Sequence, residues 1–174
     1  YYVVVNIGVQ TVLALLIAVL MHRLTQSTWV RSIVLTPYLV SNVVAALVFM
    51  WILDTQLGIG NQVLASMGLN TIPFLSQEST VIPTIALINV WRHMGYTALL
   101  IFAGLQTIPE SAYEAARVDG ASEWQMFWRI TIPLLRPILA LVLIMTIIGS
   151  FQVFDTVAIA TQGGPVNSSR VLQL

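Results

Sequence analysis

The chain has 174 residues, 57% of them hydrophobic and only 8% charged, with a formal net charge of zero and a mean hydropathy of +0.88. A soluble domain carries about 25% charged residues, so this composition cannot coat a water-soluble globule and fits a chain whose solvent is a lipid bilayer. All seven basic residues are arginine, and lysine and cysteine are both absent. That excludes a P-loop with its Gly-Lys-Ser/Thr, thiolate catalysis, disulfides and Cys-ligated metals, and the zero net charge gives no sign of a nucleic-acid partner.

In chain order, four apolar segments reach the ~20 residues that a helix needs to cross a core of about 30 Å: residues 2–21, 30–53, 81–105 and 134–154. The expected fold class is therefore all-α, a polytopic helical bundle forming one transmembrane domain over residues 1–174. The first segment starts at Tyr1-Tyr2 inside an apolar run without an initiator Met, and the chain is expected to be an internal piece of a longer polypeptide. Residues 22–29 make a short polar connection. Residues 54–80 are a longer one, with Gly58, Gly60, Gly68 and Pro73, and a short interfacial helix is expected near 62–67. Residues 106–133 are the charged connection, and 155–170 hold the turn signal Gly163-Gly164-Pro165.

Arginine placement sets an orientation. Arg23 and Arg31 lie in or beside the first connection, and Arg117, Arg129 and Arg136 in or beside the third, whereas the second has none and the last only Arg170. By the positive-inside rule, the first and third connections face the cytoplasm. Trp29, Trp51, Trp124 and Trp128 lie near segment ends, where interfacial anchors belong.

Half of the fourteen charged residues fall between Glu110 and Arg136. Ser111-Ala-Tyr-Glu114 and Ser122-Glu-Trp-Gln125 both read as capping boxes that open helices. Gly120 suits a left-handed stop between them, and the second helix is expected to end before Pro133. Two short capped helices around a glycine make a compact docking element, although a solvated connector would also be charged.

Within this element Glu114-Ala115-Ala116, three residues, Gly120, nine residues, then Ile130-Thr131-Ile132-Pro133 resembles the EAA signature of ABC importer permeases, departing only in Ile132 where leucine is usual. Gly149-Ser-Phe-Gln-Val-Phe-Asp155, Thr161-Gln-Gly-Gly-Pro-Val-Asn-Ser168, Ile108-Pro109 and Asn89-Val-Trp91 are similar to the sugar-type permeases related to the maltose and glycerol-phosphate systems. The resemblance covers nearly the whole chain. It implies a multi-pass protein of a bacterial or archaeal inner membrane, with no catalytic site of its own. It implies two partner ATP-binding subunits that hold the ATP and Mg2+, a second homologous permease, an extracytoplasmic solute-binding protein and a sugar substrate. Glu114, Ala115, Ala116, Asp119, Gly120, Ile130 and Pro133 become the candidate ATPase-coupling residues. Glu114 has two readings, a charged contact with the ATPase or the closure of its own capping box.

The third segment places Arg92 and His93 at mid-membrane depth, where charge is costly unless it is paired or meets water. Asn89, Arg92 or His93, and Tyr96 share one helix face, and Met145, Gly149 and Gln152 form a stripe on the fourth segment. Hydrogen-bonding groups beside an aromatic ring suit a sugar, and in related sugar permeases these two stretches line the pocket. The blander reading makes Arg92 an interhelical ion-pair partner and His93 a packed core residue. Arg92 could instead favour an anionic solute such as a phosphorylated polyol. A permease for a polyamine, phosphate or glycerol-phosphate is the nearest alternative. An intramembrane enzyme would need a nucleophile–base set or a metal cluster, and the sequence offers no paired carboxylates, His-x-x-x-His or Gly-x-Ser-x-Gly. Gly58-Ile-Gly60 has Val63 where a dinucleotide-binding loop needs its third glycine, and Asn167-Ser-Ser169 is a sequon short enough to arise by chance. Asp155 reads as a helix-end hydrogen-bonding residue.

Overall fold

The computed structural model describes residues 2–24 and 27–171, and throughout them the regular structure is helical. The first segment forms α1 (Tyr2–Leu24). It turns Asn6, Gln10, Ala14, Ala18 and Met21 inward, a spacing of three to four residues that puts all five on one stripe. Ala14 and Ala18 are fully buried. Such small side chains let helices in lipid approach closely, and they seat α1 against α5 (Glu78–Leu105) and α8 (Ile132–Phe151). Ile101, Phe102, Leu105, Leu135 and Val142 complete this core.

The second segment departs from the expected single span. It forms α2 (Thr28–Leu39) and α3 (Asn42–Ile52), which meet at an 89° bend. Helices of 12 and 11 residues reach only about 18 and 16 Å, so neither crosses a bilayer alone. Pro37 in the last turn of α2 cannot donate a backbone hydrogen bond, and Val40 and Ser41 are extended, with ψ of 133° and 144°. The chain therefore leaves the helix axis between them. α2 packs on α5, while α3 packs on α9 (Asp155–Ala160). Asn42 Nδ2 donates to Asp155 Oδ2 at 3.1 Å, so Asp155 has the helix-end bonding role read from the sequence.

The second connection carries the expected short helix, α4 (Ile59–Ser66). Asn61 is its hub: its side chain donates to Ile72 O (3.0 Å) and Asp54 O (3.2 Å) and accepts from Ile72 N (2.8 Å). The Asp54 carboxylate accepts from the backbone N–H groups of Leu57 and Gln56, which hold its pKa below the usual carboxylate value. That contribution to loop stability is present above the unfolded pKa and fades as pH falls through the lowered one.

The charged connection forms α6 (Glu110–Val118) and α7 (Glu123–Met126). The Ser122–Gln125 capping box forms, and Gly120 takes a left-handed φ of 77°. The Ser111–Glu114 box does not form: α6 begins at Glu110 after Pro109, so Ser111 already lies inside the first turn, and no side chain caps this end. Nor does the second helix stop before Pro133. A π turn (Phe127–Thr131) joins α7 to α8 without a break. Ile132 N bonds Phe127 O, five residues back, and the extra residue makes room for the proline ring inside a continuing helix. By length and composition, Tyr2–Leu24, Glu78–Leu105 and the stretch Glu123–Ala160 are long and apolar enough to span, and the bent pair makes a fourth if counted as one span.

Candidate functional site

Four helices, α1, α2, α5 and α8, line a cavity of about 260 Å³. From α5 it receives Asn89, His93 and Tyr96, and from α8 and its C-cap it receives Met145, Gly149 and Gln152. The structure thus brings together six of the seven residues that the sequence marked. A buried polar ladder runs along the wall. Asn89 Nδ2 donates to Asn6 Oδ1 (3.1 Å), Asn6 Nδ2 to Ser150 Oγ (2.9 Å), and Gln10 Nε2 to Thr97 Oγ1 (2.9 Å). Ser150 and Thr146 in turn bond backbone carbonyls one turn earlier in α8. These three bonds cross between helices, so the buried amides of Asn6 and Gln10 keep partners.

Asn6, Gln10, Thr97, Thr146, Ser150 and Tyr38 were not marked by the sequence reading. A signal for two of them was present: Asn6 and Gln10 are polar residues four apart in an otherwise apolar run. Tyr38 arrives from α2 at the bend and stacks on Tyr96, with ring centroids 4.6 Å apart and an interplanar angle of 13°.

Arg92, the seventh marked residue, does not line the cavity. Its Nε donates to Val40 O at 2.8 Å and its Nη2 to Tyr38 O at 3.4 Å, so it meets carbonyls freed where α2 ends. Among the described residues it makes no ion pair, the role considered for it from the sequence. Arg92 Nη1 also lies 2.9 Å from His93 Nε2. Guanidinium only donates, so Nε2 must accept, and Nδ1 carries the proton that His93 gives to Asn89 O at 2.9 Å. Both ring nitrogens of His93 are thereby occupied.

The second candidate region lies at the end of the bundle where α1 stops. Arg23 and Glu123 pair at 2.7 Å, which puts the first and third connections at the same end, as the arginine pattern requires. Glu114, Ala115, Asp119 and Gly120 are exposed, and Ala116, Ile130 and Pro133 are half-buried. Ala116, Asp119, Gly120 and Ile130 border one open groove of about 330 Å³, with Arg129 on its rim. Among the described residues Glu114 has no hydrogen-bond or ion-pair partner, so its carboxylate does not close a capping box. Tyr113 and Thr131 share a hydrogen bond of 2.9 Å, which ties α6 to the π turn. Val118 and Trp124 stand out from this unit, 88% and 70% exposed.

Comparison with known proteins places this geometry. The family model described as "binding-protein-dependent transport system inner membrane component" matches residues 10–172. The chain is 33% identical over 171 residues to the trehalose/maltose transport system permease protein MalF of Thermococcus litoralis, covering 98% of this chain and 58% of that protein. It is 38% identical over 144 residues to the sulfoquinovosyl glycerol transport system permease protein SmoG of Agrobacterium fabrum, covering 83% and 47%. Among solved structures, a chain of a bacterial ABC transporter involved in the import of the acidic polysaccharide alginate superposes with a TM-score of 0.81 at 26% identity, covering 97% of this chain and 61% of that one. A structure of bacterial alginate ABC transporter in complex with an alginate pentasaccharide-bound periplasmic protein matches equally well. The chain spans about half to three-fifths of the relatives it matches. With a family model covering nearly its full length, a polar cavity walled by its spans and an exposed helical unit at one end, the chain belongs to the family of inner membrane components of binding-protein-dependent transport systems.

Proposed function

We propose that this chain forms part of the membrane pathway of an ATP-driven importer and carries a carbohydrate delivered by an extracytoplasmic solute-binding protein. It would work with a second homologous permease and two ATP-binding subunits, which hold the ATP and Mg2+. The α6–Gly120–α7 unit, with Glu114, Ala115, Ala116, Asp119, Ile130 and Pro133, is the coupling element that seats against an ATP-binding subunit on the cytoplasmic side. Asn89, His93, Tyr96, Met145, Gly149 and Gln152 belong to the substrate pathway. The names of the relatives, a trehalose/maltose and a sulfoquinovosyl glycerol permease, support a carbohydrate, as do a cavity of amides and hydroxyls and its aromatic pair.

The observation that carries this reading is mechanical. The helix that begins at Glu123, beside the exposed groove, runs without interruption through the π turn to Phe151, and its far end presents Met145 and Gly149 to the cavity. A push on α7 is therefore delivered to the pocket wall by a single rigid element. The Arg23–Glu123 pair links the same push to α1.

Two substitutions separate coupling from passage. A β-branched side chain at Gly120 must adopt φ near 77°, at a cost of about 1–2 kcal/mol, although a Cβ there meets nothing within 4 Å. Gly120→Val in the assembled transporter is expected to lower substrate-stimulated ATP hydrolysis and uptake together, by about tenfold. Normal uptake in that variant would remove the coupling role. A Cβ at Gly149 also meets nothing within 4 Å, so Gly149→Leu projects into open space beside the cavity. It is expected to cut uptake by about tenfold in a complex that still assembles, and undiminished uptake would mean that the substrate passes elsewhere.

A further inference from the structure

We propose that the cavity accepts an uncharged carbohydrate, and that Arg92 is a positioning residue which sets the pocket's aromatic wall from outside rather than a receptor for an anionic group. This rests on the carbohydrate reading above and narrows it to a charge class.

Among the described residues the lining holds no Asp, Glu, Lys or Arg. Besides His93 its polar groups are amides and hydroxyls, those of Asn6, Gln10, Asn89, Thr97 and Ser150 bonded to one another across helices, and His93 has both nitrogens occupied by Arg92 and Asn89 O. A uronate, sulfonate or phosphate entering this space would shed water without meeting a countercharge, which is strongly unfavourable in a low-dielectric site. A neutral polyol loses less on dehydration and can exchange hydrogen bonds with the amides. The fold does not fix ligand charge by itself, since the solved neighbour belongs to a transporter described as importing an acidic polysaccharide.

Among the described residues, the one arginine beside the cavity lining, Arg92, is turned onto protein. Three of its nitrogens are engaged, with Val40 O, Tyr38 O and His93 Nε2, and its Cζ stands 5.5 Å from the Tyr38 ring centroid. Tyr38 in turn stacks on Tyr96 and meets the edge of His93 with centroids 5.8 Å apart. Tyr38 lies in the last turn of α2, just before the bend, so the guanidinium fork decides where that ring stands. A planar fork can hold two carbonyls and an imidazole at once, and a lysine ammonium cannot reproduce that geometry.

The test uses the complete transporter in its host membrane, with uptake of labelled maltose, xylose, glucuronate and an alginate oligosaccharide as probes. Uptake of a neutral sugar at about 100-fold or more over either acidic probe is the expected result. Efficient uptake of an acidic probe alone overturns this inference while leaving the carbohydrate reading intact, and uptake of none of them overturns both. Arg92→Gln, Arg92→Lys and Tyr38→Leu are then compared by the ratio of maltose to xylose uptake, which a mere fall in folded transporter leaves unchanged. All three are expected to shift that ratio several-fold in the same direction. If Arg92→Lys keeps the original ratio while Arg92→Gln loses it, charge rather than the fork matters and the positioning role fails. If none of the three shifts the ratio, it fails as well.

Discussion

Gly95→Ala is expected to leave little folded protein in the membrane. Gly95 is buried on α5 where that helix passes α2, and a Cβ built there falls on the carbonyl oxygen of Val34. The obstructing atom is backbone, so no side-chain rotation relieves the clash, and α2 must move away as a body. Overpacking of this kind costs about 3 kcal/mol, a large share of the margin that holds most proteins together. The displacement would also carry Tyr38 away from Tyr96. Gly8→Ala is the control, since a Cβ at Gly8 meets nothing within 4 Å and alanine favours helix. Thermal unfolding in detergent should show Gly95→Ala far below the parent and Gly8→Ala at or above it. Equal midpoints for the two variants would show that α2 does not lie against α5 at this point.

Asn6→Leu carries the second large effect. Asn6 is 1% exposed and stands at the centre of the ladder, accepting from Asn89 and donating to Ser150. Leucine keeps the heavy-atom count and branching and removes both interhelical bonds. Such bonds in membranes are worth about 0.6–2 kcal/mol each, so a loss of about 2 kcal/mol is expected, together with a fall in uptake because Asn89 is left unanchored beside the cavity. The informative measurement is a double-mutant cycle with Asn89→Leu, in which the stability losses should fall short of additivity by about 1 kcal/mol. Strict additivity would deny that the two amides are partners.

The uneven legibility of this structure in its sequence has physical causes. α1, α5 and α8 follow from composition and length, because a bilayer demands about 20 apolar residues of any helix that crosses it. Gly120 and the Ser122–Gln125 box are local chemistry and were readable for that reason. The bend at Val40–Ser41 was not, because hydropathy reports what a segment is made of and not which way it points. Its determinants are Pro37 nearby and Arg92, 52 residues away in sequence from Val40. Ser111 failed as a cap because α6 starts one residue earlier, at Glu110, which satisfies the helix dipole with its carboxylate. Pro133 reads as a terminator, and only the register shift of the preceding π turn lets the helix continue. For the cavity, the stripe on α5 does put Asn89, His93 and Tyr96 along one wall. Periodicity gave Arg92 the same face, yet a long side chain can turn its head away from the face that bears it. The spacing of Asn6 and Gln10 marks a polar face on α1, but whether that face meets the cavity depends on the rotation of α1 against its neighbours, which no single-helix pattern contains.

The Asn61 hub has a practical consequence for mapping which side of the membrane each connection occupies. By fastening the stretch around Asp54 to Ile72, it closes residues 54–72 into a loop whose two ends are already joined. The tip of that loop, Met67 to Asn70, is exposed, and Gly68 there has open space around it. A reporter sequence spliced in after Gly68 would lengthen a closed ring, which costs little entropy, whereas the same insertion at Gly58 would force apart backbone that a Cβ already overlaps. The first site lets accessibility labelling be done on a transporter whose spans are undisturbed.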